Sequence, residues 1–232
     1  MTALFLSCEH GGNEVPPALK HCFAGHAAVL RTHRGYDIGA LDLFRTLAPL
    51  AQETTHATRS RLCIELNRSA GHPRLFSAFT NTLPGREKEQ LLRFWRTYRE
   101  DFTARVRACI KGGQPVLHVA VHSFTPVLDG VERTMDIGLL YDPARPGERA
   151  FCLAWRKAIL HHAPGLVVRM NQPYKGISDG FPTTLRHTFP HHYAGMELEV
   201  NQKFAEHNKM NPRIAKALHA SLAEVLAKGW SA

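Results

Sequence analysis

The chain has few cysteines and no pattern among them. Cys8, Cys22, Cys63, Cys109 and Cys152 are an odd number and form no C-x-x-C pair. That excludes a disulfide framework and a thiolate zinc site, and it suits a reducing cytoplasm. No apolar run approaches the roughly 18 residues that would span a bilayer. The N-terminus passes directly into the apolar run Ala3–Leu6, without a basic segment or a long apolar segment, so no signal peptide is expected. A Gly/Ser-rich linker, a charge block, an internal repeat and a low-complexity tract are all missing. The 232 residues are therefore expected to form one domain, 1–232. The formal net charge is +9, but the Lys and Arg residues are scattered, and no basic run or nucleic-acid motif is present. The expectation is a solvated basic surface, part of which steers a small anion into a cleft, and not a nucleic-acid partner. Nothing in the chain specifies an oligomeric state.

What is there is an alternation of short apolar runs and amphipathic segments. Residues 3–8 and Val116–Val121 read as buried strands, with further strands at Ile137–Leu140, Leu166–Met170 and Met196–Val200 and a short candidate at Leu62–Leu66. Asp37–Ala48 reads as a helix on the spacing of Ile38, Leu41, Phe44 and Leu47. Arg86 to about Lys111 is the strongest helical pattern, with Leu91, Trp95, Tyr98, Phe102 and Val106 on one face, and Gly112-Gly113 stops it. Glu148–His161 and Pro212–Lys228 read as further helices. Residues 171–194 carry Pro, Gly and aromatic residues without periodicity and read as an active-site loop. This order implies an α/β layered fold with a mixed, mostly parallel central sheet flanked by helices. In such sheets, ligands bind at the carboxyl ends of the strands.

Four separated segments deliver chemistry to such ends. His10 follows the first strand and precedes Gly11-Gly12, which free the backbone to turn. His122 ends the strand that starts at Val116, and His118 shares its face by strand alternation. Two histidines and a carboxylate are a usual catalytic zinc set. The carboxylate is either Glu14 or Asp37, and Asp37 also fits the acidic start of a helix. Glu197 and Glu199 share a face of one strand, and either could serve as general base; a half-exposed edge strand would also carry them. Arg61, Asn67 and Arg68 flank the run Leu62–Leu66. An Arg fork suits a substrate carboxylate or a developing oxyanion, and surface arginines at strand ends look the same. Tyr174 and Lys175 sit in a Pro/Gly turn that could close a pocket.

Cys8–Asn13, His33–Ala40, Ser60-Arg61 with Leu66–Ser69, Val121–Pro126, Asp136–Asp142, Asn171–Gly176 and Glu197–Gln202 together resemble the N-formylglutamate amidohydrolase family. The motifs come in the family's order over roughly residues 4–204. That family is similar to the zinc carboxypeptidases and aspartoacylases, which implies their α/β fold and one Zn²⁺, although another divalent metal would also fit. The resemblance implies that His10 and His122 bind the metal, that Arg61 polarises the scissile carbonyl, and that Asn67 and Arg68 hold the substrate carboxylate. It favours Glu199 as the general base and Asp37 as the third ligand, with Glu14 the runner-up. Carboxypeptidases place a ligand Glu three residues after the first His, where this chain has Asn13. The implied reaction is hydrolysis of N-formyl-L-glutamate, or another short N-acyl amino acid, to carboxylate and free amino acid, as in histidine breakdown. Tyr174 and Lys175 would complete the substrate site. The alternatives are a deacylase or carboxypeptidase with a different substrate, and a non-catalytic anion-binding protein on the same fold.

Overall fold

The computed structural model of the chain describes residues 2–229. Six strands form one sheet: β1 (Ala3–Cys8), β2 (Glu53–His56), β3 (Val116–Phe124), β4 (Ile137–Leu140), β5 (Val168–Met170) and β6 (Tyr193–Asn201). Their order across the sheet is β2-β1-β3-β6-β4-β5. The first four run parallel. β4 pairs antiparallel with β6 and parallel with β5. The expected mixed, mostly parallel sheet is what forms. Among the described residues no helix is long and apolar enough to cross a membrane.

Helices cover both faces. They are α1 (Ala40–Leu47), α2 (Gly85–Lys111), α3 (Pro146–His162), α4 (Phe181–Thr188) and α5 (Pro212–Ala227). One core joins α1, α3 and α5 to Leu4, Leu6, Leu117, Val119, Val121, Met196 and Leu198 of the sheet. The other joins α2 and α4 to Phe5, Val116 and Tyr193. Strand alternation assigns these faces. On the α2 face, β3 presents Val116, His118, Ala120 and then His122, while β6 presents Tyr193, Gly195, Glu197 and then Glu199. Each strand thus begins with residues for the core and ends with residues for chemistry, at the same edge of the sheet.

The structure departs from the sequence reading in three places. Leu62–Leu66 is not a strand but a buried turn. Ser60 bends it, its Oγ accepting the Leu62 N–H at 3.2 Å and its carbonyl the Cys63 N–H at 2.9 Å, while Thr80 Oγ1 donates to the Cys63 carbonyl at 3.0 Å. The edge strand is instead β2, Glu-Thr-Thr-His, whose residues alternate half-buried and exposed. An edge strand open to water needs no apolar alternation, so the pattern carried no signal. Residues 171–194 contain α4, whose Pro182 is tolerated because it falls in the first turn. Element ends shift by a few residues elsewhere. In particular α1 starts at Ala40, so Asp37 precedes the helix and does not cap it, and Gly39 takes the N-cap position at φ +81°.

Candidate active site

His10 leaves β1 into a turn that packs against the Ala57–Thr58 backbone. A Cβ on Gly12 would lie 2.5 Å from the Thr58 carbonyl oxygen, so the chain can run there only without a side chain. The His10 carbonyl accepts the Asp37 N–H at 2.9 Å, which ties the two residues together although 27 positions separate them. Ser123 fixes the other side of this turn: its Oγ donates to the Ile38 carbonyl at 2.8 Å.

His10, Asp37 and His122 are all buried and form a cluster whose ligand atoms lie within 4.8 Å of one another. Nδ1 of His10 is 3.3 Å, and Nδ1 of His122 2.9 Å, from the same Asp37 Oδ2. The opposite nitrogens face carboxylates. His10 Nε2 bonds to Glu65 Oε1, and His122 Nε2 lies 3.1 Å from Glu9 Oε2 in ion-pair geometry. A carboxylate behind each ring fixes its orientation and raises its basicity, as outer partners of metal-bound histidines do. Two imidazoles and one carboxylate brought this close fit a divalent cation. Glu14 is elsewhere: it is exposed and accepts from Thr58 Oγ1 at 2.7 Å. His118 is also elsewhere, held deep in the sheet between Ser7 Oγ (2.7 Å) and Tyr193 Oη (2.8 Å).

The electrostatics are those of a crowded, dry site. Burial presses the His10 ring toward the neutral form, as does Arg61, but Glu65 and Asp37 outweigh them and hold its pKa above the ordinary value. His122 is likewise raised: Asp37 and Glu9 overcome burial. Burial also favours neutral acids, yet Asp37 and Glu65 stay well below the usual carboxylate range because His10 and Arg61 surround them. Arg61 donates Nε to Glu65 at 2.8 Å and Nη1 to Asp37 at 3.2 Å, leaving two of its five N–H groups for the cleft. Glu199 is the exception among the acids. Burial raises its carboxyl to about 8; His122 opposes this, and Asp37 and Glu197 add to it. Its Oε2 is buried with no hydrogen-bond partner.

A cleft of about 440 Å³ connects these groups. Of the candidates from the sequence, His10, Asp37, Arg61, Asn67, Arg68, His122, Tyr174, Lys175, Glu197 and Glu199 line it, and Glu14 and His118 do not. Asn67 is committed within the chain, since its Nδ2 donates to Glu197 Oε1 at 2.9 Å and its Oδ1 accepts the Phe181 N–H at 2.6 Å. Arg68 donates to the Asp179 carbonyl. Tyr174 Oη accepts from Arg133 at 3.2 Å. The sequence reading missed Glu9, Glu65 and Arg74. Glu9 and Glu65 adjoin recognised motif residues, so proximity was the available signal. Arg74 sits in an irregular loop and had none.

The sequence profile of the N-formylglutamate amidohydrolase family matches residues 2–205. The chain belongs to the N-formylglutamate amidohydrolase family. Two solved structures place this amidohydrolase-family chain among known folds. The gene product Atu2144 from Agrobacterium tumefaciens is similar at 27% identity and a TM-score of 0.78, over 98% of this chain and 91% of that one. The N-formylglutamate amidohydrolase from Ralstonia eutropha JMP134 shares the fold at 16% identity and a TM-score of 0.65, over 98% and 93% of the two chains. No curated protein sequence matches.

Proposed function

We propose that the protein is a metal-dependent amidohydrolase of N-formyl or other short N-acyl amino acids, with N-formyl-L-glutamate the leading substrate and the cytoplasm its place of action. The observation that carries this is the pairing, in one cleft, of a His-Asp-His cluster with a buried, unpartnered Glu199. His10, Asp37 and His122 would hold the ion, which when bound lowers the pKa of water toward neutrality and polarises a carbonyl. Glu199 takes the proton from the water that attacks the acyl carbon, then gives it to the leaving amine. A carboxyl raised toward neutral pH is suited to both transfers. Arg61 turns its two spare N–H groups to the acyl oxygen and stabilises charge developing there. Arg68 takes the substrate α-carboxylate with its remaining donors. Asn67, bridging Glu197 and the start of α4, sets the wall beside it, while Tyr174 and Lys175 close the outer side.

Formate release from N-formyl-L-glutamate by purified protein tests this, before and after chelation and with zinc restored. Hydrolysis lost on chelation and regained with zinc is expected. A zinc-loaded protein that hydrolyses no N-formyl or N-acetyl amino acid in a panel would refute it.

A further inference from the structure

His118 is a polar ring in an apolar place. It is fully buried in β3, its ring centroid 4.7 Å from that of Phe102 and 5.8 Å from that of Phe181. An apolar side chain would fill this space without losing the hydration of an imidazole. Both of its nitrogens are nonetheless satisfied: Nε2 lies 2.7 Å from Ser7 Oγ, and Nδ1 2.8 Å from Tyr193 Oη. The strand register arranges this. Phe5 of β1 and Gly195 of β6 stand opposite His118, so Ser7 and Tyr193 are its diagonal neighbours on the α2 face. Burial holds the His118 pKa down at about 3, so the ring is neutral and carries a single N–H. Ser7 and His118 stand at the distance of a nucleophile and its base. Both are fully buried, however, and neither lines the active-site cleft, so the pair does not meet substrate.

The hydrogen bonds lead to Glu9 instead. Its carboxylate is fully buried, with Oε2 3.1 Å from His122 Nε2 and Oε1 accepting from Tyr98 Oη at 3.3 Å. Ser7 precedes it by two positions, and its hydroxyl hydrogen-bonds the carboxylate as well. Burial raises the Glu9 pKa, but the His122 ring and then Ser7 outweigh it and hold the acid ionised, at about 2. A serine hydroxyl has one proton to give. If Ser7 gives it to Glu9, it accepts from His118, whose Nε2 then carries the N–H. Nδ1 is then bare and accepts the Tyr193 O–H. In this order every donor of the row has an acceptor. In the reverse order Ser7 spends its proton on His118 and Glu9 loses a donor. Tyr193 Oη, which has no other hydrogen-bond partner among the described residues, then points its own proton at nothing. A buried charge and a buried hydroxyl both favour the first order.

We propose that Tyr193, His118 and Ser7 form a row of one-way hydrogen bonds that fixes Glu9 against His122, which makes His118 a positioning residue for the metal site from within the core. This rests on the amidohydrolase reading for the role of His122 as a ligand.

The test measures zinc affinity of the folded protein by competition with a chromophoric chelator, in Tyr193→Phe, Ser7→Ala, the double variant and Ser221→Ala. Ser221 accepts from Trp155 Nε1 at 3.1 Å, a buried hydrogen bond outside the row. Tyr193→Phe should weaken zinc binding by about tenfold, the low end for outer partners of metal-bound histidines, and Ser7→Ala at least as much. In the Ser7→Ala background Tyr193→Phe should change nothing further, because the row is already cut. Ser221→Ala should bind as the wild type does. Unchanged affinity in Tyr193→Phe, losses that add in the double variant, or an equal loss in Ser221→Ala overturns the proposal and leaves the amidohydrolase reading standing. The imidazole nitrogen NMR shifts of the metal-free wild type read the His118 tautomer independently, whether or not Ser7→Ala folds. An N–H on Nε2 is expected, and an N–H on Nδ1 overturns the proposal. If the wild type takes up no zinc, the metal reading has failed, and the same spectra decide the inference alone. His122 ring shifts that move in Tyr193→Phe support it; shifts that stay in place overturn it.

Discussion

A carboxylate buried without a hydrogen-bond partner is costly unless it takes up a proton, and Glu199 is in that position. With its pKa near 8 in the folded chain against an ordinary 4.5, the folded state keeps a proton that the unfolded state has released. Between those two values the native chain binds more protons, so stability falls as pH rises through the window. In the chelated protein Glu199→Gln should remove this loss. The variant should gain on the wild type between pH 5 and pH 8 by on the order of a few kcal/mol, read from urea midpoints at the two values; parallel pH dependences would show that Glu199 is not protonated. The same substitution in the metal-loaded enzyme should keep the metal and lower kcat by about a hundred- to ten-thousandfold, and turnover near the wild-type rate would remove Glu199 from the mechanism. His122→Ala should instead lose bound metal and activity together. At this scale much of the site was legible, because His10, His122 and Glu199 each end an apolar run at a predicted strand end. Glu9 and Glu65 were not legible, since their role comes from ring nitrogens that only the fold brings to them.

The elements hold these side chains by contacts that a one-dimensional pattern does not contain. Arg99 of α2 donates to the Leu66 carbonyl at 2.8 Å, and Trp95 to that of Arg68 at 3.0 Å, so the helix props the turn that carries Asn67 and Arg68. Its apolar face was read correctly as core, while this second use lay on residues that looked like an ordinary helix surface. The turn itself was misread as a strand because Leu62, Cys63, Ile64 and Leu66 are all buried, and a buried apolar run does not by itself distinguish strand from turn. The opposite side of the cleft is fixed by a buried pair. Arg186 of α4 donates to Glu148 of α3 at 2.9 Å and to the Gly176 and Gly195 carbonyls at 2.6 Å each. It thereby locks the Tyr174–Lys175 turn to the start of β6. Arg186→Met would leave Glu148 charged, buried and without its guanidinium, and should cost about 3–5 kcal/mol in urea denaturation. It should also raise KM more than it lowers kcat, since the residues it positions bind substrate and do not transfer protons. A variant of wild-type stability would mean that Arg145, 3.5 Å from Glu148, suffices.

Across the whole molecule, the parallel arrangement of β1, β3 and β6 brings His10, His122 and Glu199 to one edge, and this was the part of the fold most securely implied by the order of runs and helices. The edge gathers Glu9, Asp37, Glu65, Glu197 and Glu199 around two imidazoles and one Arg61. Such a cluster is tolerable only with positive charge among the acids. In the metal-free chain that charge is supplied partly by protons, because the pKa values of His10, His122 and Glu199 are all raised. A divalent ion at His10, Asp37 and His122 competes for the same place, since histidine ligands bind metal only when their coordinating nitrogens are deprotonated. Zinc binding at pH 6 should therefore release about two to three protons, measurable by calorimetry in buffers of different ionisation enthalpy. Zinc affinity should weaken steadily as pH falls, and with it the gain in Tm that zinc confers on the chelated protein, which at a hundredfold excess over Kd corresponds to about 2.7 kcal/mol. Release of no protons at pH 6 would mean that the ion binds elsewhere, because no cation can take both histidines while they keep the protons their carboxylate neighbours hold in place.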